Sequence, residues 1–152
     1  MNILIIGSGC REVIIIKKLL EDSKLENQIV KILCMANCRN PYILEHCKYK
    51  IINKYNLENL KETLNFFDKP DFAIIGPENP LFEGYSDYLE SHNIPTIGPL
   101  KIYSQIETSK SYCRNILSEI NMSNLSPDYD IIKSNSDKEK VLQILNNFDS
   151  KI

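Results

Sequence analysis

The sequence has neither an excess of positive charge nor a long apolar run. Its 18 lysine and arginine residues are outnumbered by 20 aspartate and glutamate residues, which gives a formal net charge of −2. A nucleic-acid-binding domain usually carries a basic patch, so the composition argues against that class. The apolar run near the N-terminus, residues 3–6, is far shorter than the ~20 residues that span a membrane. We therefore expect a soluble, cytoplasmic protein that binds neither nucleic acid nor membranes.

Paired cysteine motifs are also absent. The chain has five cysteines, and an odd number at irregular spacing favours reduced thiols in the cytosol. Cys34, Cys38 and Cys47, with His46, are the residues from which a zinc site would have to be built. They lack the paired C-x-x-C spacing of structural zinc sites, and Cys34 falls in a predicted buried strand. The sequence therefore predicts no metal site in this chain.

What the sequence does contain is an alternation of short apolar runs with amphipathic segments. Such alternation predicts βαβ units and a doubly wound, mainly parallel α/β sheet, which we place at residues 1–105. The remaining residues, 106–152, follow a different pattern and are predicted to be a linker helix and the start of a second, incomplete domain. The predicted strands are 2–6, 28–35, 49–52, 71–75, 96–97 and 129–133, and the predicted helices are 11–21, 57–67, 82–91, 109–120 and 136–148.

The first strand is followed by Gly-Ser-Gly-Cys-Arg-Glu, residues 7–12. Glycines let a backbone approach a ligand, and the N-terminus of the following helix favours an anion. Two interpretations stay open, a phosphate or sugar site and a tight turn whose Arg11 and Glu12 pair on the surface. A dinucleotide site is disfavoured, because Glu12 replaces the third small residue of that fingerprint and no acid follows Met35.

The fourth strand ends in a second loop of this kind. Residues 72–81 read FAIIGPENPL, so an apolar run stops at Gly76 and Pro77 and is followed by Glu78. Ligands of parallel α/β sheets bind beyond the carboxyl ends of the strands. Glu78 is therefore a candidate acceptor for sugar hydroxyls or an amine. The alternative is that Glu78 caps a helix beginning near Phe82, where the helix dipole favours a carboxylate.

Three blocks together resemble the N-terminal part of the phosphoribosylamine–glycine ligase family. Residues 5–12 are similar to the family's G-[SN]-G-G-R-E-H block, and residues 75–81 match its GPE-x-PL block. Residues 98–101 (GPLK) and 105–110 (QIETSK) are similar to its GP-[TS]-K and Q-[LI]-EGSK blocks. The order and spacing of the blocks agree along the whole chain. The resemblance implies a Rossmann-like pre-ATP-grasp domain followed by the first segment of an ATP-grasp domain.

The resemblance also implies a function and a set of site residues. Family members join glycine to 5-phosphoribosylamine in purine biosynthesis, using ATP and Mg²⁺ to form a glycyl phosphate that the amine attacks. By the resemblance, Lys110 would lie by the nucleotide phosphates, although no catalytic residue is assigned. The metal-binding acids of the family's ATP-grasp core are missing, so this chain alone is expected to be inactive. The substrate-binding residues implied are Gly9, Arg11, Glu12, Gly76, Pro77 and Glu78.

The chain departs from the family pattern at several positions. Cys10 and Val13 replace a glycine and a histidine of the first block, and Thr108 replaces a glycine of the last. A side chain at position 10 would crowd a phosphate. These departures keep two alternatives open, a non-catalytic module that binds a sugar phosphate or a partner, and another ATP-grasp enzyme of the purine pathway.

Overall fold

The computed structural model describes residues 1–132 and 138–149. The chain divides into two compact units, Met1–Thr108 and Ser109–Ile152. Among the described residues, five strands form one sheet in the first unit: β1 (Asn2–Ile6), β2 (Lys31–Ala36), β3 (Lys48–Ile51), β4 (Phe72–Ile75) and β5 (Thr96–Ile97).

The sheet is parallel throughout, with the strand order β3-β2-β1-β4-β5. The central strand β1 pairs with β2 on one side and with β4 on the other, so that Ile6 lies opposite both Met35 and Ile75. After β1 the chain forms β2 and β3 on one side of it, and then crosses back to form β4 and β5 on the other side. The carboxyl ends of β1 and β4 flank this topological switch point, where doubly wound sheets bind ligands.

Six helices belong to this unit: α1 (Cys10–Leu25), α2 (Pro41–His46), α3 (Leu57–Phe66), α4 (Glu78–Phe82), α5 (Tyr85–Ser91) and α6 (Lys101–Thr108). Successive side chains of a strand point to opposite faces of a sheet, so each strand contributes to two buried layers. Leu4 and Ile6 pack in one cluster with Leu60 of α3 and Leu89 of α5. Ile3 and Ile5 pack in the other with Ile16 of α1 and Ile43 of α2. The doubly wound, parallel α/β fold is thereby confirmed.

Some predicted boundaries were wrong. The helix predicted at 82–91 is two helices, α4 and α5, separated by Gly84, whose φ of 83° is left-handed. Glycine reaches that conformation without steric cost, which explains the break. Strand β2 begins at Lys31 rather than at 28, and helix α6 was not predicted at all.

The second unit contains α7 (Lys110–Glu119), a 3₁₀ turn at Ser123–Leu125 and α8 (Lys138–Asp149). Ser109 is the N-cap of α7, and its Oγ accepts a hydrogen bond from the N–H of Tyr112 at 3.2 Å. The strand predicted at 129–133 is wrong for 129–132, which form no regular structure. A strand needs a hydrogen-bonded neighbour, and no strand is described in this unit. Position 133 and Ser136, the start of the last predicted helix, lie outside the described residues.

None of the helices in the described part of the chain is both long enough and apolar enough to cross a bilayer.

Candidate functional site

A cleft of about 420 Å³ lies at the carboxyl edge of the sheet. The loops that follow β1, β2 and β4 all contribute to it, as expected for neighbouring parallel strands whose ends meet at the same edge. The cleft is lined by Ser8, Gly9, Cys10, Arg11, Glu12, Asn37, Cys38, Tyr55 and Pro77.

Glu12 is the buried charge of the cleft. It lies in the first turn of α1, and only 4% of the residue is exposed. Its Oε2 accepts a hydrogen bond of 2.6 Å from the N–H of Gly9, the N-cap of the helix. Its Oε1 is buried and has no hydrogen-bond partner among the described residues. The interpretation of this turn as a surface pair of Arg11 and Glu12 is therefore wrong, because Glu12 points inward.

Two glycines make room for the Glu12 side chain. A Cβ at Gly76 would stand 2.6 Å from Cδ of Glu12, and a Cβ at Gly7 would stand 2.8 Å from the same atom. Real Cβ atoms do not approach that closely, so any larger residue would displace the carboxylate. Gly7 also has a φ of 122°, which L side chains rarely adopt. The glycines that directly follow β1 and β4 therefore form the space that holds Glu12.

Ser8 joins the loops that follow β1 and β2. The residue is 3% exposed, and its Oγ donates to Oδ1 of Asn37 at 2.7 Å. The same oxygen accepts hydrogen bonds of 3.2 Å from the N–H groups of Asn37 and Cys38. The carbonyl of Ser8 accepts from Nδ2 of Asn40 at 3.0 Å. These bonds fix the wall of the cleft that the loops after β1 and β2 form.

Tyr55 contributes a buried phenol hydroxyl. Its Oη has no hydrogen-bond partner among the described residues. Burial raises the pKa of Tyr55 well above its usual range, and the negative charge of Glu12 raises it further. The phenol therefore keeps its proton and is available as a donor.

A second, smaller cleft of about 310 Å³ lies beside the first, and the two share Asn37 and Tyr55 as lining residues. Its other lining residues are Asn53, Lys54, Asn79, Phe82 and Glu83. Tyr55 consequently lines both a cleft that Arg11 and Glu12 also line and a cleft that Lys54 and Glu83 also line. A ligand longer than one sugar ring could use both.

The structure brings most of the predicted site residues together. Gly9, Arg11, Glu12 and Pro77 line the larger cleft. Gly76 lies against the Glu12 carboxylate.

The remaining two predicted residues are not among those that line the cleft. Glu78 is exposed and is not among the residues that line the cleft. It is the first residue of α4, with Pro77 as N-cap and no side-chain capping bond, so the prediction that it caps a helix beginning near Phe82 is wrong. Lys110 is the exposed first residue of α7, in the second unit.

Five residues that line the cleft were not predicted as substrate-binding residues: Ser8, Cys10, Asn37, Cys38 and Tyr55. Asn37 and Cys38 directly follow β2, the neighbour of β1, and carry the same strand-end signal that identified the other loops. Tyr55 follows β3 by several residues, and nothing in the local pattern marks it.

The cysteines do not form a metal site with their neighbours. All five lie in described residues and none forms a disulfide. Cys34 is fully buried, and its Sγ donates to the carbonyl of Gly7 at 3.3 Å. Burial raises the pKa of Cys47 to about 11 and that of Cys34 further, so both remain thiols. Within residues 1–132 and 138–149 no three His, Cys, Asp or Glu side chains are grouped to hold a metal ion.

Comparison of the sequence with known proteins shows which family it matches. The family model for the phosphoribosylglycinamide synthetase N domain matches residues 1–107. The phosphoribosylamine–glycine ligase of Methanocaldococcus jannaschii is 38% identical over 123 residues, which is 80% of this chain and 26% of that protein. The ligase of the same name from Methanosphaera stadtmanae is 31% identical across 100% of this chain and 32% of its own length.

A bifunctional purine biosynthetic protein of Dictyostelium discoideum is 31% identical over 121 residues, 80% of this chain and 14% of that protein. The chain thus spans about a third or less of the relatives that it matches. The family model nevertheless covers more than half of the chain. The chain therefore belongs to the phosphoribosylglycinamide synthetase N-domain family.

Proposed function

We propose that this chain is the N-terminal, substrate-binding part of a phosphoribosylamine–glycine ligase of purine biosynthesis, and that its larger cleft binds 5-phosphoribosylamine. The observation that carries the proposal is the Glu12 carboxylate, which is 4% exposed, lines the cleft and keeps one oxygen without a hydrogen-bond partner among the described residues. Leaving a buried acceptor unpaired is costly, and a ligand that donates a hydrogen bond removes that cost.

The chemistry of the cleft suits a sugar phosphate with an amine. Oε1 of Glu12 would accept from an amine or hydroxyl of the ligand. Arg11 lines the same cleft, and its guanidinium would pair with the phosphate, for which its planar fork of donors is suited. The N–H of Gly9 is already bonded to Glu12, so we do not assign it to the phosphate. Gly76 and Pro77 would shape the ribose end, with the exposed Glu78 at its rim.

We propose that catalysis takes place on the part of the ligase that this chain does not include. In the whole ligase ATP would activate glycine and Mg²⁺ would neutralise the phosphates. The described residues contain no group of metal ligands that fits Mg²⁺, so we derive no step through the metal. Lys110 would approach the nucleotide phosphates, a role that rests on the match to the family's QIETSK-like block. On its own the chain would bind substrate without turnover.

Calorimetric titration of the chain with ribose 5-phosphate and with glycinamide ribonucleotide tests this proposal. We expect saturable binding that Glu12→Gln weakens by roughly tenfold or more, because hydrogen bonds to charged groups are worth ~1.5–3 kcal/mol. Glutamine preserves the shape of the side chain and removes its charge. Glu107→Gln, which changes an exposed residue of α6, is the matched control and should leave affinity unchanged.

Cys10→Gly should be titrated in parallel, because Cys10 lines the cleft where the family has a glycine. No saturation at millimolar ligand in either protein would contradict the proposal. Binding that appears only in Cys10→Gly would instead favour a diverged module whose cleft the cysteine has narrowed.

A further inference from the structure

Two buried polar atoms beside the cleft have no hydrogen-bond partner among the described residues, Oε1 of Glu12 and Oη of Tyr55. Most buried polar side-chain atoms in folded proteins are hydrogen-bonded, so each exception calls for an explanation. Both residues line the larger cleft. The negative charge of Glu12 also contributes, after burial, to the raised pKa of Tyr55.

The two atoms need opposite hydrogen-bond partners: Oε1 of Glu12 needs a donor, and the Oη proton of Tyr55 needs an acceptor. A carboxylate oxygen can only accept a hydrogen bond, whereas the protonated phenol has a proton to donate. A hydroxyl group satisfies both at once, because it donates one hydrogen bond and accepts others. A phosphate dianion has no proton for Glu12 and so cannot satisfy both atoms. The pair therefore suits a hydroxyl and excludes the phosphate group of an amino-sugar phosphate.

We propose that Glu12 and Tyr55 form a hydroxyl-recognition subsite in which one sugar hydroxyl donates to Oε1 of Glu12 and accepts from Oη of Tyr55. The inference rests on the proposed function, since it specifies how the cleft would recognise the sugar. Tyr55 is then a specificity-determining residue, which the family blocks do not include. It lines both clefts, so a sugar bound to its hydroxyl would be positioned relative to both.

Tyr85 provides a matched control. Its ring meets that of Tyr55 edge to face with centroids 6.1 Å apart. Its Oη accepts from the N–H of Asn56 at 3.0 Å and donates to the carbonyl of Asn56 at 2.8 Å. The two tyrosines are neighbours, but the hydroxyl of Tyr85 is satisfied by the protein, whereas that of Tyr55 has no partner among the described residues.

The test compares Tyr55→Phe with Tyr85→Phe in the 152-residue chain, using ribose 5-phosphate and inorganic phosphate as probes. We expect Tyr55→Phe to weaken ribose 5-phosphate binding by roughly fivefold to tenfold, with inorganic phosphate affinity unchanged and Tm unchanged or slightly raised. We expect Tyr85→Phe to lower Tm and leave both affinities unchanged, because its hydroxyl bonds only to Asn56 in the described structure.

Several outcomes would overturn the inference. If Tyr55→Phe lowers Tm as much as Tyr85→Phe does, its hydroxyl has a structural partner. If Tyr55→Phe weakens inorganic phosphate equally, the tyrosine contacts the phosphate and not a hydroxyl. If it binds ribose 5-phosphate as the unaltered chain does, the subsite is wrong while the proposed function stands. If the unaltered chain binds no ribose 5-phosphate, the proposed function fails and the inference fails with it.

Discussion

Glu12 and Glu78 follow adjacent parallel strands that are both succeeded by a glycine, yet their surroundings differ. Ile6 and Ile75, the last residues of β1 and β4, lie opposite each other in the sheet. Glu12 is nevertheless 4% exposed, whereas Glu78 is an exposed residue at the start of α4. Part of the difference comes from Gly76, because this glycine lies two residues before Glu78 yet makes room for Glu12. The two loops are one structural unit, in which a residue of the second allows burial of a charge in the first.

The largest effect is expected for Gly76→Ala, because the added Cβ would overlap the Glu12 carboxylate. The backbone at Gly76 is not left-handed, so the substitution isolates this clash. Overpacking of a buried site costs ~1–3 kcal/mol, and we expect a loss near the upper end of about 3 kcal/mol in the free energy of unfolding. Urea denaturation of the purified chain measures it.

The double variant Gly76→Ala with Glu12→Ala separates the clash from other causes. Removing the Glu12 side chain should recover most of the stability that Gly76→Ala loses, giving a coupling energy of roughly 1 kcal/mol or more. If the double variant loses the sum of the unfolding free energies that the two single variants lose, Gly76 and Glu12 act independently. That result would contradict the comparison between Glu12 and Glu78.

The next effect is expected for Ser8→Ala, which removes the hydroxyl that joins the loops after β1 and β2. Its Oγ accepts from the N–H groups of Asn37 and Cys38 and donates to the Asn37 amide. We expect a loss of about 1–2 kcal/mol in the free energy of unfolding, because two backbone donors lose their acceptor. Faster amide hydrogen exchange at positions 37 and 38 should accompany it.

Ser91→Ala is the control for Ser8→Ala. Ser91 is exposed, and its Oγ donates to the carbonyl of Tyr88 at 2.7 Å within the same helix. Its replacement should change the free energy of unfolding by less than ~0.5 kcal/mol. Equal losses for the two serines would mean that the Ser8 bonds contribute no more than a surface bond.

The strand-end loops could be predicted from the sequence, whereas the environment of their carboxylates could not. Short apolar runs that stop at Gly7 and Gly76 mark the ends of two strands, and parallel pairing then brings those ends to one edge. These patterns are local, because each lies within a few consecutive residues of the sequence. The burial of Glu12 depends instead on a glycine from another loop and on how closely β1 and β4 approach. Tyr55 was missed for the same reason, since only the fold brings it to the cleft.

The predictions of secondary structure were wrong where the local sequence pattern and the tertiary structure disagreed. The segment 82–91 has a helical pattern, but Gly84 adopts a left-handed conformation and divides it. Residues 129–132 have strand-forming side chains, including Tyr129, yet form no regular structure. Residues with a high strand propensity form a strand only where a neighbouring strand can bond to them, and no strand is described in the second unit.

The smallest effect on stability is expected for Glu78→Ala. The side chain is exposed, makes no capping bond and gains only from the dipole of a five-residue helix. Such an interaction is worth about 0.3–1 kcal/mol at most, and the higher helix propensity of alanine offsets part of it, so we expect a loss below ~0.5 kcal/mol. If Glu78 stands at the rim of the sugar site, the affinity for ribose 5-phosphate should still fall. Urea denaturation and calorimetric titration of the same variant measure the two quantities. A loss of stability as large as that of Gly76→Ala would show that Glu78 is structural, and the contrast with Glu12 would disappear.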